Sequence, residues 1–80
     1  MKRKELIEFI TKKALDYGQI RFEPPCCGHF YSVYVGWYYN EDTREEEDVI
    51  FALTEDDELG LECLTIKELR QIAERIQRGN

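Results

Sequence analysis

The sequence has no long hydrophobic run, and it has few cysteines, which form disulfides, and few prolines and glycines, which interrupt helices and strands. Its 80 residues include three cysteines, two prolines and five glycines. No apolar stretch approaches the roughly 20 residues that a membrane-spanning helix needs, and residues 1–4 lead into charged, helix-patterned sequence instead of the apolar segment of a signal peptide. We therefore expect a cytoplasmic protein without membrane contacts, and a chain this short predicts a single domain.

The three cysteines are too few, and odd in number, for a disulfide framework, so reduced thiols are expected. Cys26, Cys27, His29 and Cys63 are nevertheless of the residue types that bind zinc, and four such ligands would close a tetrahedral structural site. The sequence has no Cys-x-x-Cys pair, and adjacent cysteines seldom bind one ion together. We therefore expect no cofactor, and a small structural zinc-binding protein stays a further alternative.

The sequence also lacks the motifs of common enzyme classes. It has no glycine-rich phosphate-binding loop and no set of serine, histidine and aspartate residues typical of a nucleophilic triad. Cys27 and His29 are two positions apart, but no acidic residue is placed to orient the imidazole as a base. We expect a protein without a catalytic role.

Two helices are clearly indicated. Apolar residues at helical spacing predict one helix over about residues 3–17, and Gly18 is a ready stop for it. Thr65 and Glu68 form a Ser/Thr-x-x-Glu capping box, which predicts that a second helix begins there and continues to about Gln77.

Between the helices, runs rich in β-branched and aromatic residues predict strands at about 19–23, 29–39, 48–54 and 59–63. Their connections are too short for parallel crossovers and favour antiparallel hairpins. We predict a single small α+β domain. It has an N-terminal helix, a three- to four-stranded antiparallel meander sheet and a C-terminal helix, with both helices on one sheet face.

Because side chains alternate along a strand, each predicted strand has two faces. One set is almost purely apolar and is expected to pack against the helices: Ile20, Phe22, Val33, Val35, Trp37, Val49, Phe51, Leu53, Leu59 and Leu61. The opposite set includes Phe30, Tyr34, Tyr38 and Ile50, and no predicted element remains to cover it. An exposed patch of that kind usually marks a contact surface.

We expect this tyrosine-bearing face to serve homodimerisation or the docking of a protein partner, because tyrosine supplies a large contact area and a hydrogen-bonding hydroxyl. Arg21, on the same face, would supply a cation if single-stranded bases stacked on the tyrosines instead. The remaining alternative is that the tyrosines serve only β-propensity and cross-strand packing.

The formal charge of −6 is concentrated in one segment. Residues 40–62 contain eleven acidic residues and one arginine, a net charge of −10, and the acids include Glu45, Glu46, Glu47, Asp56 and Asp57. Such a segment repels phosphate backbones, so no nucleic-acid partner is expected. The alternative function is an acidic inhibitor of the phage or mobile-element type, which imitates nucleic acid and blocks a basic site through residues 41–62. The plainer interpretation is a set of solvated turns.

Overall fold

A computed structural model of the chain describes residues 2–26 and 30–78. The elements follow one another as α1 (Arg3–Tyr17), β1 (Gln19–Cys26), β2 (Phe30–Asn40), β3 (Glu45–Thr54), β4 (Glu58–Gly60), one 3₁₀ turn (Leu61–Cys63) and α2 (Ile66–Gln77). The four strands form one antiparallel sheet in the order β1-β2-β3-β4, so each strand pairs with its neighbour in the sequence. The predicted α+β architecture, a meander sheet with a helix at each end, is confirmed.

Local signals fix the ends of both helices. Gly18 takes a φ of +76° directly after α1, and its N–H donates to the carbonyl oxygen of Ala14 at 2.7 Å. A positive φ of this kind favours glycine because glycine has no Cβ. At the start of α2, the N–H of Glu68 donates to Thr65 Oγ1 at 3.2 Å and the N–H of Thr65 donates to Glu68 Oε1 at 2.9 Å. This reciprocal pair is the predicted capping box.

Both helices pack on the same face of the sheet and share one hydrophobic core with it. The buried helix residues are Leu6, Ile10, Ala14, Leu69, Ile72, Ala73 and Ile76. Beneath them lies a row of paired residues, one from each strand: Ile20, Val33, Ala52 and Leu59. The side of the sheet that carries this row is the core face.

β1 is longer than predicted, because it continues through Pro24 and Pro25 where a strand end was expected. Its pairing with β2 shifts register between Arg21 and Cys26, so the prolines lie in an irregular part of the ladder. β1 is also an edge strand of the sheet. Proline has no N–H to donate, and an edge strand or an irregularity is where a sheet tolerates that loss.

The prediction that Ile50 lies on the sheet face opposite the helices is wrong. The turn from Asn40 to Glu45 sets a register in which odd-numbered residues of β2 pair with even-numbered residues of β3. Ile50 therefore shares the core face with Val35 and is only 7% exposed. Both alternating sets of β3 are apolar, so composition alone did not separate them. The residues predicted to be in the core lie on the opposite face, half-buried: Val49, Phe51 and Leu53.

The prediction of an exposed Phe30 is also wrong, since Phe30 is 0% exposed. The ladder between β2 and β3 shifts between Phe30 and Ser32, which leaves Tyr31 as an extra residue. Such a β-bulge reverses the alternation of side chains beyond it. Phe30, paired with Thr54, consequently faces the helices together with Val33.

Trp37, which the alternation predicts in the core, is 66% exposed. Its position in β2 puts it on the same side as Val35, but the helical layer ends before reaching it. The N–H of Val35 donates to the carbonyl oxygen of Gly18 at 3.3 Å, directly after the end of α1. The β2–β3 hairpin therefore projects past the helices, and the molecule measures 38 × 26 × 23 Å.

The chain leaves the sheet after β4 in the 3₁₀ turn, where an extended strand to about residue 63 was predicted. Leu61 and Leu64 are buried by this turn, whereas Cys63 is exposed. The sequence alone would also allow Cys63 to be a small core residue, and its exposure shows that it is not.

Candidate functional site

The sheet face opposite the helices, which we call the open face, is built from rows of paired residues. The longest row consists of Gln19, Tyr34, Phe51 and Gly60. A parallel row consists of Arg21, Ser32, Leu53 and Glu58. Two shorter rows follow towards the hairpin turn: Gly36 with Val49, and Tyr38 with Glu47. Both described helices pack on the other side of the sheet, so neither covers this face, although Ser32 in the second row is only 3% exposed.

Two aromatic rings, those of Tyr34 and Phe51, lie flat at the centre of the open face. The rings of Tyr34 and Phe51 lie with their centroids 5.7 Å apart and their planes tilted by 31°. Gly36 makes this arrangement possible, because a Cβ at that position would lie 2.6 Å from Cε2 of Phe51. The Phe51 ring therefore lies against the backbone of β2, and the face is flatter than its aromatic content suggests.

Two tyrosines on this face have a carboxylate neighbour: Glu47 for Tyr38 and Glu58 for Tyr34. Tyr38 Oη donates to Glu47 Oε2 at 2.6 Å, and Asn40 Nδ2 donates to the other oxygen of that carboxylate at 3.3 Å. The hydrogen bond to Glu47 raises the pKa of Tyr38. Partial burial, followed by a hydrogen bond with Glu58, raises the pKa of Tyr34. The hydrogen bond to Glu47 also fixes the orientation of the Tyr38 side chain.

The structure brings together three of the five residues predicted to contact a partner: Arg21, Tyr34 and Tyr38. Phe30 and Ile50 belong to the core instead. Sequence reasoning missed the apolar part of the open face that β3 supplies, namely Val49, Phe51 and Leu53. The length of the turn between β2 and β3 decides which alternating set of β3 faces the helices, and no turn motif in the sequence marks that length.

The acidic residues form two groups. Glu45, Glu46 and Glu47 begin β3, whereas Asp56 and Asp57 lie in the turn that follows it. This second turn is closed by Thr54 Oγ1, which accepts from the N–H of Asp57 at 2.9 Å. A ten-residue strand spans about 30 Å. The two acidic groups therefore lie at opposite ends of the strand and do not form one continuous stripe.

The zinc alternative concerns residues that fall largely outside the description. Cys27 and His29 are not among the described residues, Cys26 is the last residue of β1, and Cys63 is exposed on the 3₁₀ turn. Among the residues that the structure describes, no three His, Cys, Asp or Glu side chains are grouped so that they could hold a metal ion. The zinc alternative stays a prediction.

Neither helix in the described part of the chain combines the length and apolar character needed to cross a membrane. Comparison of the chain with protein-family models, with curated proteins and with solved structures finds no match. The function therefore has to be argued from the surfaces of this chain alone.

Proposed function

We propose that this chain is a small, non-catalytic binding module whose open face packs against the open face of a second copy. The observation that supports this is the flat aromatic layer of Tyr34 and Phe51, which lies in a row spanning all four strands on the face opposite the two helices. Half-exposed apolar side chains at the centre and charged residues at the margin are typical of docking surfaces.

The open face carries opposite charges at its two margins, so it is electrostatically complementary to the open face of a second copy. Arg21 stands at the β1 end of its row and Glu58 stands at the β4 end of the same row. A two-fold axis parallel to the strands would place β1 of one copy over β4 of the other. Arg21 would then face the partner's Glu58, and Tyr34 would face the partner's Phe51. Because such a contact uses the same patch twice, the charge pair would form twice.

The size of the face predicts a weak dimer. Four strands about 4.8 Å apart, extended by the two-stranded hairpin, offer roughly 400 Å² of flat surface, against about 800 Å² for each partner of a standard interface. We therefore expect a dissociation constant between about 10 and 500 µM.

Sedimentation equilibrium over about 5 to 500 µM tests the dimer and its charge pair together. Arg21→Glu and Glu58→Arg each place like charges opposite one another, and each is expected to weaken self-association at least about fivefold. The double variant restores opposite charges across the axis, and self-association is expected to recover. Glu55→Arg, which makes the same charge change in an exposed turn, is the matched control and is expected to leave it unchanged.

Circular dichroism verifies that each variant keeps its fold. A wild-type protein that stays monomeric over the whole concentration range would overturn the proposal. A double variant that associates as weakly as the single variants would also overturn it, because the two charges then do not meet.

The alternative of an acidic inhibitor that imitates nucleic acid has less support. Such a mimic needs carboxylates in a continuous array, and the acids of residues 41–62 separate into groups at the two ends of β3.

A further inference from the structure

β3 has a free edge beyond the end of β4. The strand spans Glu45–Thr54, but β4 pairs only with its residues 51–53. Within the described chain, the outer side of residues 45–50 has no partner strand. β4 does not extend along this edge because the chain turns away from the sheet at Leu61.

The backbone groups at this edge point outwards. The N–H of Thr54 donates to the carbonyl oxygen of Asp57 at 2.8 Å, which is on the β4 side of the strand. In an antiparallel ladder, the N–H and C=O groups of alternate residues point to the same side. Ile50 and Asp48 therefore present their N–H and C=O groups at the free edge, where an added strand would pair with them.

A groove of about 520 Å³ runs beside the free edge. Ile7 and Thr11 of α1 form part of one wall. Residues 47–51 of β3 and residues 60–63 form the other, in which Ile50 and Leu61 are nearly buried. A free strand edge beside a helix-walled groove suits the addition of an extended peptide. The main-chain hydrogen bonds supply affinity, and alternate side chains enter the groove and supply specificity.

The charges along the free edge determine which kind of strand can bind there. Glu45, Glu46, Glu47 and Asp48 follow one another in the part of β3 that β4 does not pair with, and Glu62 lies on the groove wall. A second copy that added through the same edge would place these acids opposite their own counterparts, and like charges directly opposite each other destabilise a sheet. A basic segment of another protein would instead be attracted.

We propose that the free edge of β3 and the adjoining groove bind an extended peptide segment of about six residues, rich in lysine or arginine, as a fifth strand. A side chain next to Ile50 enters the groove and is apolar. Side chains next to Asp48 and Glu46 are basic. The groove also borders Tyr38, Val49 and Phe51 of the open face, so the peptide is tested at protein concentrations well below the dissociation constant expected for the dimer.

The first probe is a capped peptide of about seven alternating lysine and valine residues. Trp37 is the only tryptophan, is exposed and is paired with Asp48, so its fluorescence reports binding at the edge. We expect saturable binding, with the largest amide chemical-shift changes at Asp48 and Ile50. The control peptide has the same sequence but carries N-methyl groups on the amides that would face β3, and it is expected to bind at least about tenfold more weakly. Equal affinity for the two peptides would overturn the proposal.

A matched pair of protein variants separates edge binding from general attraction to acidic residues. Both Asp48 and Asp56 are exposed, but Asp48 lies in β3 beside the free edge whereas Asp56 lies in the turn after β3. Asp48→Lys is expected to weaken binding of the lysine–valine peptide at least about tenfold, whereas Asp56→Lys makes the same charge change and is expected to weaken it less than about threefold. Similar losses in both variants would overturn the proposal. Sedimentation of Asp48→Lys is expected to match that of the wild type, which separates this outcome from the outcome of the dimer test.

Discussion

At the scale of single residues, Gly36 controls the shape of the open face. A Cβ at this position would lie 2.6 Å and 2.8 Å from two ring atoms of Phe51, far inside normal contact distance. Gly36→Ala is therefore expected to force the ring out of its place and to lower the free energy of unfolding by about 1–3 kcal/mol. Urea denaturation measures the change.

Gly60→Ala is the matched control for that experiment, because Gly60 is the row neighbour of Phe51 but a Cβ there has nothing within 4 Å. Its free energy of unfolding is expected to stay within about 0.5 kcal/mol of the wild-type value. Equal losses in the two alanine variants would contradict the packing described for Phe51.

Tyr38 and Glu47 give a prediction about pH. Because the hydrogen bond to Glu47 raises the pKa of Tyr38 above 10.0, the folded protein favours the protonated phenol. The resulting stability is fully present below pH 10.0 and is lost as the pH rises through the folded-state pKa. The difference in phenolate absorbance between wild type and Tyr38→Phe is expected to give a midpoint above pH 10.0.

Two carboxyl variants identify the cause of that shift. Glu47→Gln is expected to lower the midpoint of Tyr38, since it removes the carboxylate that accepts from the hydroxyl. Glu46→Gln removes the neighbouring charge and is expected to have a smaller effect, because Glu46 is paired with Tyr39. A midpoint for Tyr38 at or below pH 10.0 in the wild type would contradict the account.

At the scale of elements, the capping box determines how firmly α2 is held on the core. Thr65→Ala removes the hydroxyl that accepts from the N–H of Glu68, and is expected to cost about 0.5–2 kcal/mol. For a domain of this size, each kcal/mol shifts the melting temperature by about 4–8 °C. Thr65→Ser keeps the hydroxyl and is expected to melt close to the wild type. A serine variant as unstable as the alanine variant would show that the cap is not the cause.

The helices could be predicted from the sequence because their signals are local. Gly18 and the pair of Thr65 and Glu68 mark helix ends within a few residues of where they act. The extension of β1 through Pro24 and Pro25 could not be predicted in the same way. Whether a strand tolerates proline depends on its position in the sheet, and that position follows from the pairing of the whole meander.

The part of the candidate site that β3 supplies depends on one turn. Asn40 Oδ1 accepts from the N–H of Asp42 at 2.9 Å, and Arg44 closes the turn with a φ of +58°. No Asn-Gly or Asp-Gly pair marks this turn in the sequence, so its length was not predictable. A shift of one residue in the register moves every side chain of β3 to the other face of the sheet. Phe51 in β3 was therefore assigned to the wrong face, whereas Tyr34 in β2 was assigned correctly.

At the scale of the whole molecule, the two helices protect one sheet face and leave two other surfaces available. The open face has an aromatic centre and opposite charges at its margins, which suits a second copy. The free edge of β3 has acidic neighbours and outward backbone groups, which suits a basic extended segment. All of the excess negative charge lies in residues 40–62, and the four consecutive acids from Glu45 to Asp48 place part of it along the free edge of β3.

The central claim is that two copies meet through the open face, and an NMR dilution series tests it most directly. Amide spectra of isotope-labelled protein would be recorded from about 1 mM to about 20 µM, which covers most of the range expected for the dissociation constant. We predict concentration-dependent shifts concentrated at Tyr34, Phe51 and Leu53, with little change in α1 and α2. Spectra that do not change with concentration, or changes confined to the helices, would contradict the claim.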